Sequence, residues 1–261
     1  MRLRVLTYNM HKGFCFYSRQ YVLKALREAI RSVDADLVFL QEVMGVHPPA
    51  RGSEHETNSQ FEYLADQIWP HFAYGKNAIY SDGHHGNAIL SKHPFTAFEN
   101  INISTNPMER RGLLHAQVKM NGHAIDVHML NLHLDLLERG RRQQMRSLIQ
   151  RVQACVPPQA PLIVAGDFND WALKFSDPMA AELGLAESGV RFTGNHAATF
   201  PSWRPFLALD RVYVRGFEVR DFQVLSGSIW KRMSDHAGVM AELELAYGQS
   251  GSSADSGSGR E

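Results

Sequence analysis

The chain lacks a net charge: 27 lysines and arginines are balanced by 27 aspartates and glutamates across 261 residues. That balance excludes a global basic field of the kind that holds duplex nucleic acid without regard to sequence, and leaves room only for local basic patches. Cysteine is scarce. Cys15 and Cys155 have no metal or redox spacing, so reduced thiols and a cytoplasmic setting are expected rather than a disulfide framework. No apolar run approaches the ~20 residues of a membrane-crossing helix. No leader-like segment precedes the first strand-like run, Leu3 to Tyr8, so a secretory signal is not expected. Internal repeats are also lacking. Apolar material is ample, at 44% of residues, and allows a sizeable core in one large α/β domain or two small ones.

The apolar pattern divides the chain into strands and helices. Leu3 to Tyr8, Leu37 to Leu40, Gly86 to Leu90 and Phe95 to Ile103 read as strands, with a turn at Lys92-His93-Pro94. Leu113 to Met120 and Ala124 to Leu132 flank Asn121-Gly122, a strong hairpin signal. Leu162 to Gly166, Leu209 to Val214, Glu218 to Leu225 and Ala237 to Leu245 complete the strands. One helix is predicted from about Arg19 to Val33, capped by Ser18, with Val22, Leu26, Ala29, Ile30 and Val33 on one face. Others are predicted from Phe61 to Trp69, from Glu138 to Val156 and near 177 to 183. A long polar loop at 45 to 60, an irregular stretch from 186 to 208 and a disordered Gly/Ser-rich tail at 248 to 261 fill the rest. Hairpins mixed with helical crossovers suit two packed sheets with helices outside, in one domain over residues 1 to 247.

The most informative run is Leu162-Ile163-Val164-Ala165-Gly166-Asp167-Phe168-Asn169. A buried strand runs straight into an Asp and an Asn, which would share a face if the strand continued. A bare carboxylate at the mouth of a hydrophobic strand is costly, and strand ends are where scaffolds hold reactive groups. The feature recurs. Asn9 and Glu42 end strands, Asn131 and His133 lie at the end of another, and Asp210 and Ser234-Asp235-His236 stand at the start of two more. Singly, each has an ordinary structural role: Asn9 could cap a turn, Glu42 could be a surface charge, Asp210 could pair with Arg211 or Arg215. Together at strand boundaries they point to one site.

The residue types make chemical sense as a set. Glu42, Asp235 and the amide oxygen of Asn9 are hard oxygen donors that suit Mg²⁺, with Mn²⁺ as a substitute. Asp167 could orient or deprotonate a water, Asn169 and His133 could donate to a phosphate, and His236 with Asp210 would form a paired imidazole and carboxylate. Positioning and electrostatics of this kind are most of what phosphoryl chemistry asks of a protein.

With these segments in hand, the chain resembles the endonuclease/exonuclease/phosphatase superfamily. The resemblance is carried by Thr7-Tyr8-Asn9, Gln41-Glu42-Val43, Gly86 to Ser91, Asn131-Leu132-His133-Leu134, Gly166-Asp167-Phe168-Asn169, Leu209-Asp210-Arg211-Val212 and Ser234-Asp235-His236. It implies a four-layer α/β sandwich, two packed mixed β-sheets flanked by helices, and Mg²⁺-dependent cleavage of phosphodiesters or phosphomonoesters. It also implies Asn9, Glu42 and Asp235 near metal, Asp167 and Asn169 at the nucleophile, and the Asp210–His236 pair at the phosphate. The histidine's role stays open between general base and phosphate stabiliser.

Substrate signals are weaker. Nucleic acid is the default partner, a phospholipid headgroup or small phosphoester the alternative, and a monomer the default state. Arg111, with Arg110, could reach a phosphate, and Phe200 and Trp203 could stack on a base or sugar. The family's Thr-Trp-Trp type segment of apurinic-site endonucleases is replaced by Thr199-Phe200-Pro201, which argues against a dedicated repair nuclease. Arg139, Arg141, Arg142, Arg146 and Arg151 make one helix basic, and Gln143 or Arg139 is expected to brace the site loops. His84-His85 reads as an exposed turn, and His11 as a residue near the cleft.

Overall fold

Runs that are apolar on both faces become central strands, and amphipathic segments become the helices that cover them. The computed structural model describes residues 1–15, 22–45, 59–65, 68–80, 83–107, 109–120 and 126–246. In chain order its elements are β1 (Arg2–Asn9), α1 (Leu23–Val33), β2 (Leu37–Met44), α2 (Gln60–Ala65), β3 (His71–Tyr80), β4 (Gly83–Ser91), β5 (Phe95–Asn102), β6 (Gly112–Lys119) and β7 (Asp126–His133). Then follow α3 (Glu138–Cys155), β8 (Leu162–Asp167), α4 (Ser176–Leu183), β9 (Ala186–Glu187), α5 (Ser188–Thr193), β10 (Asp210–Arg215), β11 (Phe217–Leu225), α6 (Trp230–Met233) and β12 (Gly238–Leu245).

The strands form two six-stranded sheets, ordered β11-β12-β1-β2-β4-β3 and β5-β6-β7-β8-β10-β9. Both are mixed: β1 with β2 and β7 with β8 are parallel, and the remaining pairs antiparallel. Val5, Phe39 and Ile89 of one sheet meet Ala116, Met129, Ala165 and Val212 of the other in a shared apolar core. Leu26 and Ile30 of α1 pack on the outer face of the first sheet, and Met145, Leu148 and Val152 of α3 on that of the second. The result is the four-layer α/β sandwich.

Register brings the polar strand ends into line. Asn9 lies beside Gln41, and His133 and Asp210 flank Asp167 on either side. His133, Asp167 and Asp210 therefore form one row across three neighbouring strands.

Some elements depart from the sequence reading. β3 is not marked as a strand in the sequence reading, where Gly75-Lys76-Asn77 interrupts the alternation; the strand absorbs the interruption as a register shift between Lys76 and Ala78. Of the helix expected at Phe61 to Trp69, the described part is Gln60–Ala65, and Trp69 turns inward to donate its indole N–H to the Ala35 carbonyl at 2.9 Å. A short helix, α5, replaces part of the irregular stretch, capped by Glu187, whose carboxylate accepts the N–H groups of Gly189 and Val190. Cys15 and Cys155 are not joined in a disulfide. The Ser18 cap, the Asn121-Gly122 turn, most of the 45 to 60 loop and the 248 to 261 tail lie outside the described residues.

Candidate active site

The strand ends open on a cleft of about 330 Å³ lined by Asn9, Glu42, His133, Asp167, Asn169, Asp235 and His236, together with His11, Arg111, Leu136, Trp171 and Phe200. Asp210 sits directly behind His236. Its Oδ2 accepts the His236 Nδ1–H at 2.8 Å and the Thr199 hydroxyl at 2.6 Å. On the far side of the ring, His236 Nε2 lies 3.7 Å from Asp167 Oδ2. The same Asp167 oxygen accepts from Asn9 Nδ2 at 3.1 Å and lies 3.4 Å from His133 Nε2. Asp167 Oδ1 accepts the Asn169 N–H at 2.9 Å.

Burial and charge set the protonation pattern. Burial opposes the charged form of His236, but Asp210, Asp167 and Asp235 outweigh it and push its pKa up to about 10. Burial, joined by the Asp210 charge, outweighs the opposing His236 charge and the hydrogen bonds from Asn169 and Asn9 and raises the Asp167 pKa to about 6. His133 is held well below its ordinary value by burial and by the cationic Arg111 and His236 nearby, so its ring is neutral. Asp167, Asp210 and His236 place ligand atoms within 4.8 Å of one another. With the imidazole protonated this is a hydrogen-bonded ion array rather than a metal cage, because imidazolium has no lone pair for a metal.

The oxygen donors are arranged separately. Gln41 and Glu42 form a bulge in the β2–β4 ladder, and Glu42 adopts a left-handed backbone with φ 56°. That turns its carboxylate into the cleft, where it makes no hydrogen bond or ion pair with the described residues. Asp235 lies 3.4 Å from His11 Nδ1, and its neighbour Ser234 ties the segment to β1 by donating to the Asn9 carbonyl at 2.7 Å. The Asn9 Oδ1 accepts the His11 N–H at 3.2 Å and keeps a second lone pair. Two carboxylates and a carboxamide oxygen facing one cleft fit a hard divalent cation.

Asn169 reaches the site by a different route from the one expected. β8 ends at Asp167, and Asn169 takes a left-handed φ of 48° in the loop beyond, its amide held by the Leu134 carbonyl at 2.9 Å. Phe200 lines the cleft but packs on the His236 ring, with centroids 5.0 Å apart. Trp203 is half exposed and is not among the cleft-lining residues. The exposed aromatic at the cleft is instead Trp171, which stacks on the Arg141 guanidinium at 4.3 Å.

The bracing residues also shift along α3. Gln144, not Gln143, accepts the Asp135 N–H at 2.8 Å, and Arg141, not Arg139, donates to the carbonyls of Asp135 and Leu136. Arg211 pairs with buried Asp170 at 3.2 Å rather than with Asp210. His84 and His85 lie within β4 and are half-buried, not an exposed turn; His84 Nδ1 is 2.9 Å from the Tyr74 hydroxyl. Behind the cleft a polar belt crosses between the sheets. Gln41 Nε2 donates to Thr7 and to Asn131 Oδ1 (2.8 Å), and Asn131 Nδ2 donates to the Leu40 and Ala88 carbonyls at 2.9 and 2.8 Å. Asn131 preceded His133 in the sequence reading, but only its burial reveals this tie.

Comparison with known proteins shows the family. Residues 6–236 match the model of the Endonuclease/Exonuclease/phosphatase family. The Escherichia coli (strain K12) protein YbhP, described as uncharacterized, is 43% identical over 246 residues, 93% of this chain and 96% of that one. An endonuclease/exonuclease/phosphatase structure from Beutenbergia cavernae superposes with a TM-score of 0.74 at 23% identity, covering 94% of this chain and 72% of that one. D. rerio TDP2, solved in complex with single-strand DNA product, gives 0.67 at 21% identity over 94% of this chain and 99% of that one.

Proposed function

The chain belongs to the endonuclease/exonuclease/phosphatase family, and from that premise we propose that it is a metal-dependent phosphodiesterase, with Mg²⁺ as cofactor, Mn²⁺ as substitute and a nucleic-acid strand as default substrate. The observation that carries this reading is the Asp210–His236–Asp167 array opening on the same cleft as Glu42 and Asp235. Glu42, Asp235 and Asn9 would hold the cation. When bound, it supplies Lewis-acid polarisation of a phosphoryl oxygen and charge neutralisation at the leaving oxygen.

The remaining chemistry belongs to the side chains. Asp167, with its pKa raised to about 6, is ionised at neutral pH yet basic enough to orient water and take its proton. His236, protonated up to about pH 10, is suited to donate Nε2–H to a phosphate oxygen rather than to act as base. Asp210 holds that ring in place and sustains its charge. Neutral His133 and the remaining amide hydrogen of Asn169 add donors at the same wall. The single-strand DNA product in the TDP2 relative supports a nucleic-acid substrate. A second reading, a phospholipid headgroup ester, rests on Leu136 and Trp171, which are 53% and 47% exposed at the cleft. We assign the activity to residues 1–247.

Bis(p-nitrophenyl) phosphate is expected to be hydrolysed with Mg²⁺ or Mn²⁺, with a rate that rises through about pH 6 as Asp167 ionises. Wild-type protein silent toward every phosphoester with either metal overturns the reading. Plasmid, single strands, abasic duplex and phospholipid vesicles then divide the two substrate classes.

A further inference from the structure

Beside the cleft lies a larger hollow of about 710 Å³, lined by Lys76, Asn77, Asn100, Asn102, Arg110 and Arg111 among others. Arg111 lines both cavities. No carboxylate is among the lining residues, although three cations are. Elsewhere on the surface several cations have an acid partner: Arg2 with Glu242, Lys92 with Asp34, Arg151 with Glu99, Lys174 with Glu138, Arg220 with Glu244. Lys76 and Arg110 have no ion pair among the described residues. Arg111 donates one guanidinium N–H to Glu109 at 2.9 Å, and its Nε is buried without a partner.

The hollow is held in shape rather than left by chance between side chains. Asn100 Nδ2 donates to the Lys76 carbonyl at 3.2 Å and to Asn77 Oδ1 at 3.1 Å, tying β5 to β3. Gly75 and Gly112 make room for these amides, since a Cβ at either would overlap the Asn100 carboxamide, and at Gly112 that of Asn77 as well. Lys76 and Arg110, without an acid partner among the described residues, stand beside Arg111, whose charge Glu109 partly offsets; the cations repel one another, and an anion is what such a hollow accommodates.

We propose that this hollow is a second phosphate subsite, binding a phosphate of the substrate other than the one being cleaved, with Lys76 and Arg110 holding it and Arg111 joining it to the cleft. The proposal rests on the phosphodiesterase reading of the cleft and deepens it: the substrate carries at least one further phosphate beyond the scissile group. A monophosphorylated diester such as bis(p-nitrophenyl) phosphate does not reach the hollow.

The test measures binding without turnover. A fluorescent, terminally phosphorylated oligothymidylate is titrated in EDTA, over a range of salt concentrations, into wild type and Lys76→Ala/Arg110→Ala. Losing two phosphate contacts is expected to weaken binding about tenfold and to flatten the salt slope by about 1.4, at about 0.7 per contact for a single strand. Turnover of bis(p-nitrophenyl) phosphate stays unchanged in the double variant. Equal affinity and slope in both proteins overturn the subsite. Competitors identify the source of the phosphate. Displacement by unlabelled oligothymidylate supports a strand, and displacement by an inositol bisphosphate alone supports the same subsite serving a headgroup. If the diester is never hydrolysed while the salt slopes still differ, the phosphodiesterase reading fails and the anion site stands.

Discussion

In the middle of the sandwich, Val5, Phe39, Met129, Ala165 and Val212 fill the space between the sheets with apolar side chains. A few residues away on the same strands, Asn9, Glu42, His133, Asp167 and Asp210 replace them. One set gains stability from burial, at about 25 cal/mol per Å² of apolar surface removed from water. In the other set Asp167 opposes it: the carboxylate is fully buried, ionised at neutral pH and raised in pKa, so holding its charge works against folding. Between them the Thr7–Gln41–Asn131 belt joins the sheets by hydrogen bonds at the point where apolar gives way to polar. The strands thus carry a foundation at their centre and a strained instrument at their ends.

The contrast can be broken from either side. His236→Gln is expected to lower kcat about a thousandfold by removing a cationic donor from the transition state. Its pH–rate profile should also shift, the acidic limb moving up, because Asp167 loses its nearest positive neighbour. Phe39→Ala is expected to cost about 4 kcal/mol in urea unfolding while the folded fraction keeps its kcat. Asn131→Ala should cost about 2 kcal/mol or more by removing the donors to the Leu40 and Ala88 carbonyls and the acceptor of one Gln41 amide hydrogen, and should lower kcat as well, since it lies between the two regions.

The smallest effect lies away from the cleft, at His115. Arg151 Nε donates to its Nδ1 at 3.1 Å, which leaves Nε2–H to donate to His128 Nδ1 at 3.0 Å. Burial, and after it the charges of Arg151 and the His128 ring, lower the His115 pKa to about 4. The folded pKa lies below the unfolded value, so the stabilisation is complete above about pH 6.5 and is lost as pH falls toward 4. The stability advantage of wild type over His115→Gln is expected to shrink by about 2 kcal/mol across that window, after allowing for solvent screening.

What the sequence reveals and hides follows the same division. The acidic strand ends are legible because an apolar run that stops on a carboxylate is anomalous within a few residues, as at Ala165-Gly166-Asp167. The groups that hold them are not, because the pairings span long stretches of chain. Thr199 holds Asp210, Ser234 reaches back to Asn9, and Asp170 pairs with Arg211. Helical phase explains the shift from Gln143 to Gln144, one position, and from Arg139 to Arg141, two: each position is about 100° around the helix, and only packing shows which face meets the loop. Trp171 escapes for another reason, since it lies in a loop where no periodicity marks its direction. β3 is hidden by its own polar interruption, and that interruption lines the basic hollow.

The most direct measurement replaces Asp167 with Asn and reads turnover and unfolding in the same preparation. Mg²⁺-dependent hydrolysis of bis(p-nitrophenyl) phosphate is expected to fall by about a thousandfold. The urea midpoint at pH 7 should stay level or rise, because a buried carboxylate whose charge opposes folding has been neutralised. A variant that keeps its activity, or one that loses activity only because it unfolds, contradicts the claim that Asp167 is held for chemistry and not for the fold.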